Sequence, residues 1–222
     1  VHADAAKEWM LGVLLQRVAG EAGLAAITAL IDDAGPAREV HEDVPKRVGD
    51  LVAEGAIVCW FEGRSEFGPR ALGARSILAD PRSAAIRDRL NILKGRQWWR
   101  PFGPSILAGH ESTYFEASCH SPFMLFTLPV VAEKRGSIPA VVHRDGTTRP
   151  QSVTAEDSPL YHRLIARFHE LTGVPMVLNT SFNTHWEPIV MTPEDAVASF
   201  LDLGADVLAM GPYLVRRQDL KL

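Results

Sequence analysis

A chain of 222 residues, 46% hydrophobic and 23% charged, can build one sizeable core, or a core with a small appendage, and reads as a soluble globular protein. Its formal net charge of -4 excludes holding nucleic acid by overall charge, because neutralising phosphates needs a basic face; nucleic acid is therefore not an expected partner beyond a local patch. No run approaches the roughly 20 apolar residues of a membrane helix, Asp4 and Glu8 stand where a secretory signal would be basic, and Cys59 within AIVCWF is expected as a buried free thiol, in keeping with a reducing cytoplasm.

The chain opens on Val1, as a piece of a longer protein would. Helical spacing of Trp9, Met10, Val13, Leu14 and Val18, then of Leu24, Ile27 and Ile31, predicts two packed helices interrupted between Gly20 and Gly23. Asp32 to Pro45, rich in acids, glycine and proline, is expected as a loop or linker, followed by a helix in VPKRVGDLVAEG that stops at Gly55 and a buried strand in AIVCWFEG. Next comes EGRSEFGPRALGARS, in which Gly63, Gly68, Pro69 and Gly73 make a regular helix costly. It must be a shaped loop, and Arg64, Arg70 and Arg75, with Glu66 as the one carboxylate between them, must meet something other than a salt-bridged helix face.

In DPRSAAIRDRLNILKG, Asp80 is a candidate cap, Pro81 suits a first turn, Ile86, Leu90 and Leu93 share a face, and Gly95 ends the helix with Lys94 at its terminus. Strands are predicted in FMLFTLPVV and AVVHRDG. SPLYHRLIARFHELTG predicts a helix with Pro159 early, Leu160, Leu164, Phe168 and Leu171 inward and Gly173 just past its end. VPMVLNTSFN is an apolar strand with a polar tail, TPEDAVASFLDLG a helix begun by Thr192 and Pro193, and DVLAMG and PYLVRR the last strands. Strands and helices interleave without strict alternation, which predicts an α/β layered domain with a mixed sheet.

The polar residues suggest an anion site. KGRQWWRP places Lys94, Arg96 and Arg100 close together, and Lys94 and Arg96 would point the same way on extended backbone. Asn179, Ser181 and Asn183 alternate in NTSFN and would offer an amide, a hydroxyl and an amide on one strand face, fit for a polar planar group or phosphate oxygens. Arg149, before a proline, adds a cation, and arginine suits phosphate because its fork donates paired, charge-assisted bonds. Each feature also has a plain structural reading: arginines on a solvated surface, turn-forming Ser and Asn, and core positions for Trp98 and Trp99. His162 and His169 are too far apart on one helix to share an ion, His143 and His185 lack partners at metal spacing, and no metal ligands are assigned. No phosphate loop, GxSxG elbow or paired cysteines occur, so nucleophilic catalysis has no candidate.

The ordered blocks GRSEFGPRALGARSILADPR, KGRQWWRPFGPSIL, SPFMLFTLPV, HRDGTTRPQSV, SPLYHRLI and VPMVLNTSFNTHWEPIVMTPEDA, spread from Val48 to Arg217, resemble the C-terminal domain of the antibiotic and nodulation-factor O-carbamoyltransferases. That resemblance implies a YrdC-like fold over residues 48–222, a twisted mixed β-sheet flanked by helices, with residues 1–47 a helical segment or the remnant of an upstream domain. Lys94 and Arg96 are similar to the K-x-R signature of YrdC proteins, and Ser181 and Asn183 to their S-x-N signature. The implied activity is formation of carbamoyl-adenylate from carbamoyl phosphate and ATP, with magnesium carried on the phosphates, as the first half of carbamoyl transfer to a hydroxyl of a sugar or natural product. Carried over residue by residue, the resemblance implies phosphate and carbamoyl contacts for Lys94, Arg100 and Arg149, substrate or nucleotide contacts for Arg96, Asn179, Ser181 and Asn183, and a place for Arg70 in the same pocket.

In that family, transfer belongs to an upstream actin-like domain with a histidine motif that this chain lacks, so the chain is not expected to complete transfer alone. Trp186 stands where the family has glycine and is expected to narrow the pocket or alter a turn. The competing readings are a threonylcarbamoyl-adenylate synthase acting in tRNA modification, and a non-catalytic domain that binds nucleotide, RNA or a partner chain, with Trp98 and Trp99 stacking on bases.

Overall fold

The computed structural model describes residues 38–117 and 119–220, so the two helices expected between residues 5 and 31 lie outside the described residues. The chain runs β1 (Arg38–Val40), α1 (Val44–Ala53), β2 (Val58–Phe61), β3 (Arg75–Ala79), α2 (Ala84–Leu93), β4 (Gly103–Leu107) and a single turn α3 (Glu111–Tyr114). It continues through β5 (Leu128–Pro129), β6 (Thr147–Thr148), β7 (Gln151–Val153), α4 (Pro159–Thr172), β8 (Met176–Ser181), α5 (Pro193–Leu203), β9 (Val207–Met210) and β10 (Tyr213–Arg216). Eight strands form one mixed sheet in the order β1-β10-β9-β2-β3-β8-β4-β7, parallel at β2/β9 and β4/β7 and antiparallel elsewhere.

The central strands carry continuous apolar runs because both their faces are covered. Val58, Cys59, Ile77, Leu78, Val177 and Leu178 are all fully buried. Cys59 is a free thiol, and burial holds its proton far above the usual thiol range. On one face α1 packs on α4. Helix α1 starts where the Asp43 carboxylate accepts from the Lys46 N–H at 3.2 Å, with Pro45 in the first turn, and it buries Val48, Leu51 and Val52. Helix α4 buries Tyr161, Leu164, Ile165 and Phe168, and burial of each such apolar side chain contributes about 1.5–3 kcal/mol. It ends at Gly173, whose φ of 73° lies in the left-handed region. Helix α5 begins with a capping box between Thr192 and Asp195.

Several expectations are corrected. Part of the loop expected from Asp32 to Pro45 is strand β1, which pairs with β10. Asp80 does not cap α2: its carboxylate accepts from the Arg82 backbone and guanidinium, and Ser83 is the cap. Leu160 and Leu171 of α4 are exposed, because the inward face is set one residue along, at Tyr161 and Ile165. FMLFTLPVV yields only the two-residue β5 and an isolated bridge at Val130, and AVVHRDG is a turn that precedes β6.

Candidate functional site

The tail of β8 lies between β3 and β4, and two irregular segments, 62–74 and 95–102, arch over it. Segment 62–74 is the glycine-rich loop, and Glu66 builds it. Its Oε1 accepts from the backbone N–H groups of Leu72, Ala74 and Arg75 at 2.7, 2.8 and 3.2 Å, giving one carboxylate oxygen to three donors that no strand or helix satisfies. Gly73, at φ 106°, lets the chain turn against Tyr161, where an added Cβ would lie 2.3 Å from the ring.

The three arginines of this loop divide by role. Arg75 is 2% exposed, donates to the carbonyls of Glu62, Ala74, Gly63 and Met191, and stacks 3.5 Å over the Phe61 ring. Burial pulls its guanidinium down to about 10, and its place is that of a tie rather than a ligand contact. Arg64 lines a separate cavity with Glu62, Glu66 and Asp157. Arg70 lines the cavity over β8.

That second cavity, of about 430 Å³, is bounded by Arg70, Arg96, Arg100 and Arg149, by Asn179 and Ser181 of β8, and by Phe102 and Met124. No carboxylate is among its lining residues. Among the described residues Arg70 and Arg100 form no side-chain hydrogen bond or ion pair, and the buried Arg149 Nε has no partner. Burial, then the charge of Arg70, lowers the proton affinity of Arg149. These cations crowd one another, and an anion among them would relieve both the desolvation and the repulsion. Gly103 permits the arrangement, since a Cβ there would meet the Arg149 carbonyl oxygen at 2.5 Å.

Arg96 reaches the same cavity but is already engaged. Its Nε donates to Asn91 Oδ1 at 2.7 Å, its Nη2 to the carbonyls of Arg100 and Pro101, and its guanidinium lies 4.0 Å over Phe102. Burial, then Arg100, pulls it down to about 10.

Lys94 and Asn183 are not among the residues that line the cavity. Lys94 is the C-cap of α2 in a helical conformation and Gly95 takes φ 61°, so the extended backbone that would align Lys94 with Arg96 is not formed. Lys94 is 4% exposed, and its Nζ donates to the carbonyls of Ser181 and Asn183, each at 2.6 Å, and to Asn183 Oδ1 at 3.2 Å. Burial, then the Arg96 charge, pulls its ammonium down to about 7. The expected row on β8 also stops short, because the strand ends at Ser181. Ser181 Oγ donates to Asn183 Oδ1 at 2.6 Å and Asn183 Nδ2 to the Glu187 carbonyl, closing a turn that Lys94 locks from behind. Trp186 is 87% exposed, packs edge-on against His185 and is not among the cavity's lining residues.

Ser105 and Gln151 were not singled out from the sequence. Ser105 Oγ donates to Gln151 Oε1 at 2.6 Å, and Gln151 Nε2 donates to the Leu72 carbonyl at 2.7 Å, so β4 and β7 grip the glycine-rich loop from below. The available signal was a hydroxyl at the centre of the apolar GPSIL.

Residues 49–217 match the family model described as Carbamoyltransferase C-terminus. The chain belongs to this family. It is 47% identical over 181 residues to nodulation protein NolNO of Sinorhizobium fredii, a match covering 80% of this chain and 27% of NolNO. It is 36% identical over 170 residues to the 3'-hydroxymethylcephem-O-carbamoyltransferase of Streptomyces clavuligerus, covering 75% of this chain and 32% of that enzyme. The chain thus spans about a third or less of these relatives. Among solved structures, full-length HypF in its phosphate- and nucleotide-bound form superposes with a TM-score of 0.53 at 19% identity, covering 82% of this chain and 22% of HypF. P. abyssi Sua5 complexed with L-threonine gives 0.53 at 13% identity, covering 76% of this chain and 46% of Sua5. These likenesses speak for the fold alone, which is the mixed YrdC-like sheet expected from the sequence.

Proposed function

We propose that this carbamoyltransferase-family chain forms carbamoyl-adenylate from carbamoyl phosphate and ATP. The observation that carries the reading is the cavity over β8, where Arg70, Arg100 and Arg149 face a common space with no carboxylate among them. In the reaction, water cleaves carbamoyl phosphate to carbamate and inorganic phosphate. A carbamate oxygen then attacks the α-phosphorus of ATP and pyrophosphate leaves. Carbamate is already an anion, so the demand is for positioning and for neutralising phosphate charge rather than for a general base. Arg70, Arg100 and Arg149 supply that charge without first breaking an ion pair, while Lys94 holds the turn after β8 and Arg96 holds segment 95–102. Magnesium would travel on the ATP phosphates, held mainly by phosphate and water. Passing the carbamoyl group to a hydroxyl of a sugar or other natural product falls to portions of the relatives outside the matched region.

The test is pyrophosphate release from ATP by the purified chain, with carbamoyl phosphate or with threonine plus bicarbonate. Release that needs carbamoyl phosphate and is lost in Arg149→Ala is the expected result. Release that needs threonine and bicarbonate instead, or none with either, would overturn the reading.

A further inference from the structure

We propose that Asn179 reads the NH2 end of a carbamoyl group through its Oδ1, in an orientation dictated by Ala71, Ser105 and Gln151; the inference rests on the carbamoyl-adenylating reading above. Asn179 is 2% exposed and lines the arginine cavity from β8. Its Nδ2 donates to the Ala71 carbonyl at 3.0 Å, to Ser105 Oγ at 2.9 Å and to Gln151 Oε1 at 3.3 Å. The Ser105 proton is committed to Gln151 Oε1, and the Gln151 amide is itself fixed because its Nε2 must face the Leu72 carbonyl. Every atom that meets Nδ2 is therefore an acceptor. Turning the Asn179 amide over would set Oδ1 against the Ala71 carbonyl and Gln151 Oε1 with no proton between them.

Oδ1 is thus held on the other side, and there it is buried without a partner. An unpaired buried acceptor is costly, and only a donor can satisfy it. Ionised phosphate and carboxylate oxygens are acceptors and cannot. The donors of ATP, its ribose hydroxyls and adenine amino group, lie away from the reacting phosphates. The NH2 of carbamoyl phosphate is bonded to the very carbon that bears a phosphate oxygen, so it falls within reach of the same arginines. Arg149 Nε, the other unpartnered buried polar atom lining this cavity, is a donor. One acceptor and one donor complement the N–H and C=O of a single planar carbamoyl group. An acetyl group offers a methyl in place of NH2 and leaves Oδ1 unpaired.

The experiment is calorimetric titration of the chain with freshly dissolved carbamoyl phosphate, acetyl phosphate and pyrophosphate, in wild type, Asn179→Leu and Asn179→Ser. The serine variant keeps a hydroxyl for the Ala71 carbonyl should the leucine variant fail to fold. Wild type is expected to prefer carbamoyl over acetyl phosphate about tenfold or more, and the preference is expected to fall to about twofold or less in a folded variant. Damage that merely loosens the site weakens both acyl phosphates alike and leaves the ratio standing. A wild type without the preference, or a folded variant that keeps it, overturns the role of Asn179 alone. Pyrophosphate binding without carbamoyl phosphate binding overturns the carbamoyl reading and this inference together.

Discussion

Replacing Glu66 tests whether one carboxylate shapes the loop that carries Arg70. Its Oε1 takes three backbone donors, from Leu72, Ala74 and Arg75. In Glu66→Ala all three lose their acceptor. Leu72 and Ala74 are half-buried, so water replaces most of those two bonds, at about 1 kcal/mol each. Arg75 is buried, and its freed N–H costs about 1–3 kcal/mol. The variant should therefore be destabilised by about 3–5 kcal/mol. Glu66→Gln keeps an acceptor oxygen but no charge, and should lose roughly half as much. Urea unfolding of the three proteins measures these differences, and pyrophosphate titration of the glutamine variant reads the consequence for Arg70. Its affinity should drop because the loop no longer holds one shape. Glu66→Gln matching wild type in both measurements would refute the idea that this carboxylate organises the loop.

The arginines should separate by what they already hold. Arg70→Ala is expected to weaken pyrophosphate binding about 10-fold to 100-fold with little change in unfolding midpoint, whereas Arg96→Ala, which breaks bonds to Asn91, Arg100 and Pro101, should lower both; equal midpoints would count against this division. The Lys94 ammonium titrates near 7 in the folded chain, against about 10.4 when unfolded. Between those values the unfolded chain binds the proton and the folded chain releases it, so stability rises with pH, and the wild-type minus Lys94→Met difference in urea should grow by roughly 1 kcal/mol per pH unit. A flat difference would mean that the three acceptor oxygens keep Lys94 charged. Trp186→Gly, at an exposed site outside the cavity, should change pyrophosphate affinity by about twofold or less, and a larger change would restore its expected place in the pocket.

Elements with a period, a cap and a stop were legible: α4 between Pro159 and Gly173, α5 behind Thr192, and strands β2, β8, β9 and β10. FMLFTLPVV misled because Phe123, Leu125 and Phe126 are exposed on an irregular segment, so an apolar run there reports no strand. AVVHRDG misled differently: Ala140 and Val141 are buried inside a turn, and burial alone does not distinguish a turn from a strand. In DPRS two capping residues compete, and the choice of Ser83 follows from Arg82 capturing Asp80. The arginines of the site were visible as cations beside glycine and proline. The inward turn of Lys94 was not, because it depends on Gly95 taking a left-handed conformation and on carbonyls 87 and 89 residues away. The unpaired oxygen of Asn179 arises from bonds to strands and loops remote in sequence, which local patterning does not report.

Glu66 also explains how a loop can contain a carboxylate and still present an uncompensated arginine. Its oxygen points at the backbone of residues 72–75, and the residue lines the cavity that also holds Glu62, Arg64 and Asp157. Arg70 lines the other cavity, beside Arg149. The loop therefore keeps its acids in one cavity and Arg70 in the other. Without that partition, the carboxylate nearest in sequence would pair with Arg70 and leave less positive potential for a phosphate to meet. A net charge of -4 is thus no obstacle to an anion site. What matters is that the acids and Arg70 line different cavities, so no ion pair has to be broken before an anion meets Arg70. Partial burial of the Arg149 side chain adds to the effect, because its half-desolvated guanidinium meets an incoming anion with less competition from water.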